Sequence, residues 1–140
     1  MVRQTGRQLA RVDSGTIRLA ERTAISQRLG RLQLQLDELL EQHLPDAVAV
    51  EDIFSARNAR SALALGQARG VALAAAGRRE LPVFAYPPAT VKRAVCGHGR
   101  ADKTQVQRMV HVLLSLAERA GEDESDALAV AICHALCQRS

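Results

Sequence analysis

Apolar residues recur at intervals of three and four after Thr23: Ile25, Leu29, Leu32, Leu36, Leu39 and Leu40. This spacing puts them on one face of a helix, which must end before Pro45 because proline has no backbone donor to continue the ladder. Ala47-Val48-Ala49-Val50 is different, a short unbroken apolar run between Pro45 and Glu51-Asp52. It predicts a strand buried on both faces of a partly parallel sheet. Asn58 to Gly77 is rich in alanine and leucine and predicts a second helix, in which Gly66 and Gly70 bare the backbone for close approach by a neighbouring helix, within the chain or across a dimer.

Pro82 to Tyr86 reads as a strand, and Pro87-Pro88 ends it before a short helix over Ala89 to Val95. Gly97 to Arg100 is a loop. Lys103 to Ala117 is helical with Val106, Met109, Val110, Leu113 and Leu114 inward, and Asp123 to Gln138 forms a last helix through Leu128, Ala131, Ile132 and Ala135. Before all of these, weak alternation through Leu9, Val12 and Ile17 predicts two short strands, Gln8 to Ser14 and Thr16 to Leu19, turning at Gly15. Strands followed by helices in this order imply an α/β layer structure with a mixed sheet.

At 140 residues and 47% hydrophobic content the chain suits a single domain spanning residues 1–140. No run approaches the roughly 18 apolar residues of a membrane span, and Met1 to Arg11 has no signal-peptide core, so a cytoplasmic protein is expected. Cys96, Cys133 and Cys137 are odd in number and fit reduced thiols. Cys133 and Cys137 lie four apart, and a metal pair completed by His134 is conceivable, although ordinary helix packing is the expected role.

The net charge of +4 is less informative than its distribution. Ile53 to Ala117 carries ten Lys or Arg residues against only Glu80 and Asp102, whereas Asp37 to Asp52 carries six acids and no Lys or Arg. From Glu118 onward five acids face two bases. Clustered basic charge attracts phosphate, and arginine matches phosphate oxygens in two-point geometry. A solvated basic surface with no ligand is the plainer alternative.

Glu51 follows directly on a buried strand, at the end where α/β folds place their ligands. Asp123 and Asp126 are three apart at a helix start and share one face, where the helix dipole favours negative charge. Three converging carboxylates would repel unless a divalent cation lay among them, and Mg²⁺ prefers hard oxygen ligands while keeping waters that can become nucleophiles. Taken separately, Asp123 and Asp126 are ordinary helix-capping acids and Glu51 an ordinary strand-end acid. His98, in the loop Gly97 to Gly99, His43 and His111 are read as non-catalytic.

The order of three segments ties these acids together: Ala49-Val50-Glu51-Asp52-Ile53-Phe54, then Asn58 with Ala62 to Gly70, and Asp123-Glu124-Ser125-Asp126-Ala127-Leu128-Ala129. Between the second and third lies the basic stretch Val91 to Val106, followed by Met109-Val110. This collinear pattern covers nearly the whole chain and resembles the RuvC family of Holliday-junction resolvases. The resemblance implies an RNase H-like mixed sheet flanked by helices, and a homodimer that nicks four-way junction DNA symmetrically through two-metal hydrolysis in recombination and repair. It implies two Mg²⁺ per site, with Mn²⁺ as an alternative, and partnership with the branch-migration proteins RuvA and RuvB.

Carried over residue by residue, Glu51, Asp123 and Asp126 become metal-binding catalytic acids. Phe54 becomes an aromatic that stacks on unpaired bases, an interaction worth about 1–3 kcal/mol per base. Lys92, Arg100 and Lys103 become DNA-binding residues near the cleaved strand. Members of the family open with a hydrophobic strand ending in aspartate, proline and glycine. Here Val2-Arg3-Gln4 stands where their second strand begins, so the expectation is a domain whose first, central strand and its aspartate are absent. A catalytically inactive junction-binding protein is the alternative reading, and a small-molecule enzyme lacks any glycine-rich phosphate loop after a strand.

Overall fold

The computed structural model describes residues 1–20, 22–52 and 58–138. Its elements are β1 (Val2–Thr5), β2 (Gln8–Arg11), α1 (Ile25–His43), β3 (Val48–Glu51), α2 (Ala59–Gly77), β4 (Val83–Tyr86), α3 (Pro88–Cys96), α4 (Lys103–Leu113) and α5 (Glu122–Cys137). From Ile25 onward this is the predicted order of elements.

The amino-terminal strands differ from expectation. The hairpin turns at Gly6 rather than Gly15, with Val2 opposite Arg11 and Thr5 opposite Gln8, and Thr16 to Leu19 forms no strand. Gly6 has φ 59° and is the first of two loop residues, where a tight hairpin needs a positive φ that only glycine adopts freely. Gly15 has no such conformation. The sheet also differs: among the described residues there are two two-stranded sheets, antiparallel β1–β2 and a separate pair β3–β4. In the second, Val48 N donates to Pro82 O and Asp52 N to Tyr86 O, each at 2.9 Å, so the strands run parallel.

The chain divides into two compact units. One comprises Met1–Thr16, Ala49–Asp52 and Ala85–Ser140, the other Ile17–Val48 and Ile53–Phe84. The first unit is built on α3, α4 and α5. Val91, Val95, Val106, Val110, Leu114, Leu128, Ile132 and Cys133 form its core, with Val110, Ile132 and Cys133 wholly out of solvent. Burying a side chain of this kind contributes about 1.5–3 kcal/mol, so α5 is held mainly by its Leu128–Ile132 face. Helix α4 stops at Leu113, short of the predicted Ala117, because Ser115 takes a positive φ of 48° while Leu114 and Leu116 still turn into the core.

In the second unit α1 packs against α2. Helix α1 ends just before Pro45 with Leu44 in the left-handed region at φ 44°, its N–H still donating to the Leu40 carbonyl. Asn58 caps α2 by accepting from Ser61 N at 2.9 Å. The carboxylate of Asp37 on α1 accepts from Arg78 and Arg79 just past α2, each at 2.5 Å, and Arg79 also reaches the Asp37 carbonyl at 3.1 Å. Two of the arginines in the basic stretch therefore hold helices together. The amino-terminal half of α2 remains exposed, with Leu63 62% accessible, and open space lies over Gly66 and Gly70.

The hydrogen bond from Arg78 holds the Asp37 carboxyl down at about 2, below its ordinary 3.8, with Gln33 and Arg79 assisting. A depressed carboxyl stabilises the fold fully above its unfolded value and loses that contribution as pH falls through the folded one. Asp37→Asn should therefore lower the thermal midpoint at pH 7, and the gap to the parent should narrow between about pH 4 and pH 2. Thermal unfolding across that range checks this, and a gap independent of pH would contradict it.

Candidate active site

Glu51 ends β3, so strand geometry delivers its carboxylate to the carboxyl end of the parallel pair. Strand β3 is only partly buried along its length, not closed on both faces as its apolar run suggested. Glu51 is half-buried, and its carboxyl is raised above the ordinary value. Loss of hydration is the larger cause, the nearby Asp126 carboxylate adds to it, and Lys92 opposes it.

Asp126 lies in the second turn of α5, on a surface largely open to solvent. Its carboxyl is also raised, first by the hydration lost on its protein-facing side and then by Glu122 and Asp123, while Lys103 and Lys92 lower it. Asp123 is exposed in the first turn, where its charge acts on Asp126 and Lys103. Glu51 and Asp126 thus stand within electrostatic reach of each other, with Lys92 of α3 acting on both. Asp123 joins them by way of Asp126 and is not among the charges that shift Glu51.

The cations are placed by local chemistry. Asp102 and Gln105 form a reciprocal capping box at the start of α4, with Asp102 accepting from Gln105 N at 2.8 Å and Gln105 accepting from Asp102 N at 3.0 Å. That box sets Lys103 at the first helical position, where it forms an exposed ion pair with Glu122. The hydrogen bond to Glu122 is the main reason its ammonium is raised. Gly97, with φ 84°, ends α3 in the left-handed conformation. A side chain at Gly99 would meet the Ala89 carbonyl at 3.2 Å, so the glycine loop permits a close return to α3. Arg100 is exposed in that loop, and Phe54 lies outside the described residues.

Two contributors were not visible in the sequence. Glu122 had no signal as the partner of Lys103, nineteen residues away. Tyr86 joins β4 to α5: its hydroxyl and His134 Nδ1 share a 2.8 Å hydrogen bond, and its carbonyl accepts from Asp52 N beside Glu51. Burial lowers the His134 imidazole and raises the Tyr86 phenol, so both are neutral near pH 7. Cys133 is buried with its thiol pushed up to about 12, a protonated core residue.

The family described as Crossover junction endodeoxyribonuclease RuvC matches residues 1–134. The chain belongs to the RuvC family. A RuvC from Citrifermentans bemidjiense is 50% identical over 135 residues, covering 96% of this chain and 82% of that protein. A RuvC from Pasteurella multocida is 48% identical over 135 residues, covering 96% and 70%. Among solved structures, Thermus thermophilus RuvC in complex with Holliday junction substrate matches with a TM-score of 0.92 at 34% identity, over 99% of this chain and 85% of the other. A second structure of Thermus thermophilus RuvC matches with a TM-score of 0.88 at 35% identity, with the same coverage. These matches establish the RNase H-like fold of RuvC for this chain, with its described strands in two short pairs. No helix among the described residues is long and apolar enough to cross a membrane.

Glu51 and Asp126 suit a hard divalent cation in kind, since two partly desolvated carboxylates repel until a cation lies between them. Among the described residues no three acids, histidines or cysteines gather closely enough to enclose an ion. The arrangement therefore fits an ion such as Mg²⁺, which is commonly held by one or two carboxylates with waters and substrate phosphates completing its shell.

The raised carboxyl of Glu51 carries a sign. The fold disfavours its ionised form, so its charge costs stability above the folded pKa, and the cost fades as pH falls and the group takes up a proton. Glu51→Gln should raise the thermal midpoint at neutral pH, with the gap closing in acid. Asp126→Asn should move the Glu51 carboxyl back toward its ordinary 4.5. Thermal unfolding and carboxyl-carbon NMR titration measure these effects, and an unmoved Glu51 would refute the pairing.

Proposed function

We propose that this chain is a junction-resolving endonuclease. It would bind four-way DNA junctions as a homodimer and hydrolyse one phosphodiester in each of two opposed strands with Mg²⁺, or Mn²⁺ in its place, leaving 5′-phosphate and 3′-hydroxyl ends. The observation that carries the reading is that Asp126 and Lys92 both act on the Glu51 carboxyl, in a chain half identical to proteins named crossover junction endodeoxyribonuclease. Glu51, Asp123 and Asp126 would hold the cation. When bound, the cation supplies Lewis-acid polarisation of a phosphoryl oxygen and offsets the carboxylate charge.

The remaining work falls to the chain's own groups. Lys92 steadies the ionised carboxylates and attracts the DNA backbone, while Lys103 and Arg100 hold phosphates on either side of the cut. Phe54, just past the end of β3, would stack on a base opened at the crossover. The exposed amino-terminal half of α2, with open space over Gly66 and Gly70, offers a close-approach face to a second copy, whose two-fold axis would present two sites to opposed strands. The protein would act in the cytoplasm with the branch-migration proteins RuvA and RuvB.

A synthetic four-way junction incubated with the protein and Mg²⁺ should be cut at symmetry-related positions, and Glu51→Gln should abolish cutting while leaving junction binding within about twofold. Acidification should reduce cutting, because the Glu51 and Asp126 carboxyls, whose ionised form the fold disfavours, must be ionised to hold the cation. Tight binding by the folded parent protein without any cutting would replace this reading with the non-catalytic one.

A further inference from the structure

Four of the first five residues of α5 are acidic, and they do not face the same way. Glu124 lies about 100° around the helix from Asp123 and further still from Asp126, so it is on a different face from those two acids. Its carboxylate is engaged elsewhere: Ser14 Oγ donates to Oε1 at 2.5 Å, Gly121 N donates to Oε2 at 3.3 Å, and the Arg11 guanidinium stands 3.8 Å from Oε1. Ser14 and Arg11 belong to the segment that ends the β1–β2 hairpin and follows it.

The helix start needs such an anchor. Gly121 occupies the capping position and has no side chain to satisfy the first backbone donors, so only the reaching-back half of a capping box exists, and Glu124 supplies it. Glu122, Asp123 and Asp126 meanwhile repel one another across the same two turns. Resting on the reading of the site given above, we infer that Glu124 is a positioning residue: by clamping the first turn of α5 to Ser14, it holds Asp126 opposite Glu51 against that repulsion.

The test uses the full chain with Glu124→Ala, Glu124→Gln and Ser14→Ala, and with Glu118→Ala as a control for lost charge. Each is studied well below its melting temperature. Mn²⁺ affinity without DNA is read by electron paramagnetic resonance, junction affinity is measured in EDTA, and cutting is measured at saturating junction and Mg²⁺. Glu124→Ala should weaken Mn²⁺ binding and slow cutting by about tenfold each, because small misplacements of site groups are amplified in rate. Junction affinity should stay within about twofold, Glu124→Gln should recover most of the loss because an amide oxygen still accepts, and Glu118→Ala should change nothing.

Parent-like Mn²⁺ affinity and cutting in Glu124→Ala overturn the inference, as does a loss of junction affinity in EDTA that matches the loss of cutting. Should Glu124→Ala fail to fold, Ser14→Ala decides, since it removes the tether and keeps the cap. A parent protein that binds Mn²⁺ and leaves junctions intact overturns the function reading alone, and the clamp is then judged on Mn²⁺ affinity. A parent protein that binds no Mn²⁺ overturns both.

Discussion

Two carboxylates brought together with their hydration partly stripped away would separate if left to themselves. The pairing of Glu51 with Asp126 is therefore a constraint imposed on the fold by everything around it. A strand end and a helix converge on the pair, and their convergence is secured away from the charges. Leu128, Ile132 and Cys133 seat α5 in the core, and Tyr86 ties β4 to α5 through its side chain and to the residue after Glu51 through its carbonyl. Core burial supplies the energy, and Lys92, acting on both acids, lessens the repulsion without neutralising it.

The same logic divides the basic residues. The arginine-rich middle of the chain reads as a phosphate-binding field, yet Arg78 and Arg79 are committed to Asp37, where they lock the end of α2 to α1. Lys103 keeps an acidic partner in Glu122, on an exposed surface where an ion pair is worth little. Lys92 lowers the carboxyls of both Glu51 and Asp126. Charge counted along a sequence thus overstates the basic charge left without an acidic partner.

Much of the fold was legible because helices declare themselves locally. The three-and-four spacing through Leu29, Leu32 and Leu36, the alanine- and leucine-rich stretch from Asn58 to Gly77 and the stop at Pro45 all depend on near neighbours, and each appears in the structure within a few residues of its expected place. The hairpin was misplaced because Gly6 and Gly15 look alike until φ is known, and alternation through Leu9 and Val12 was too weak to choose between them. The division of the strands into two pairs was not legible, since strand partners are set by distant residues. At the candidate site, strand and helix position single out Glu51, Asp123 and Asp126 as candidates, whereas Tyr86 with His134 and Lys103 with Glu122 are long-range pairs that no local pattern encodes.

The acidic start of α5 carries this point furthest. Glu122, Asp123, Glu124 and Asp126 look interchangeable in sequence, and the macrodipole favours all of them near a helix amino terminus. Rotation of about 100° per residue sets Glu124 apart, bonded to Ser14 and Gly121, whereas Glu122 and Asp126, four residues apart, share the face on which Lys103 acts on both and Asp126 also acts on Glu51. An acid whose carboxylate is already saturated with donors has little left to offer a cation. One that is partly desolvated and faces another acid has every reason to bind one. Chemistry at this helix end is therefore decided by which carboxylates the rest of the chain leaves unsatisfied, and the count of acids says little about it.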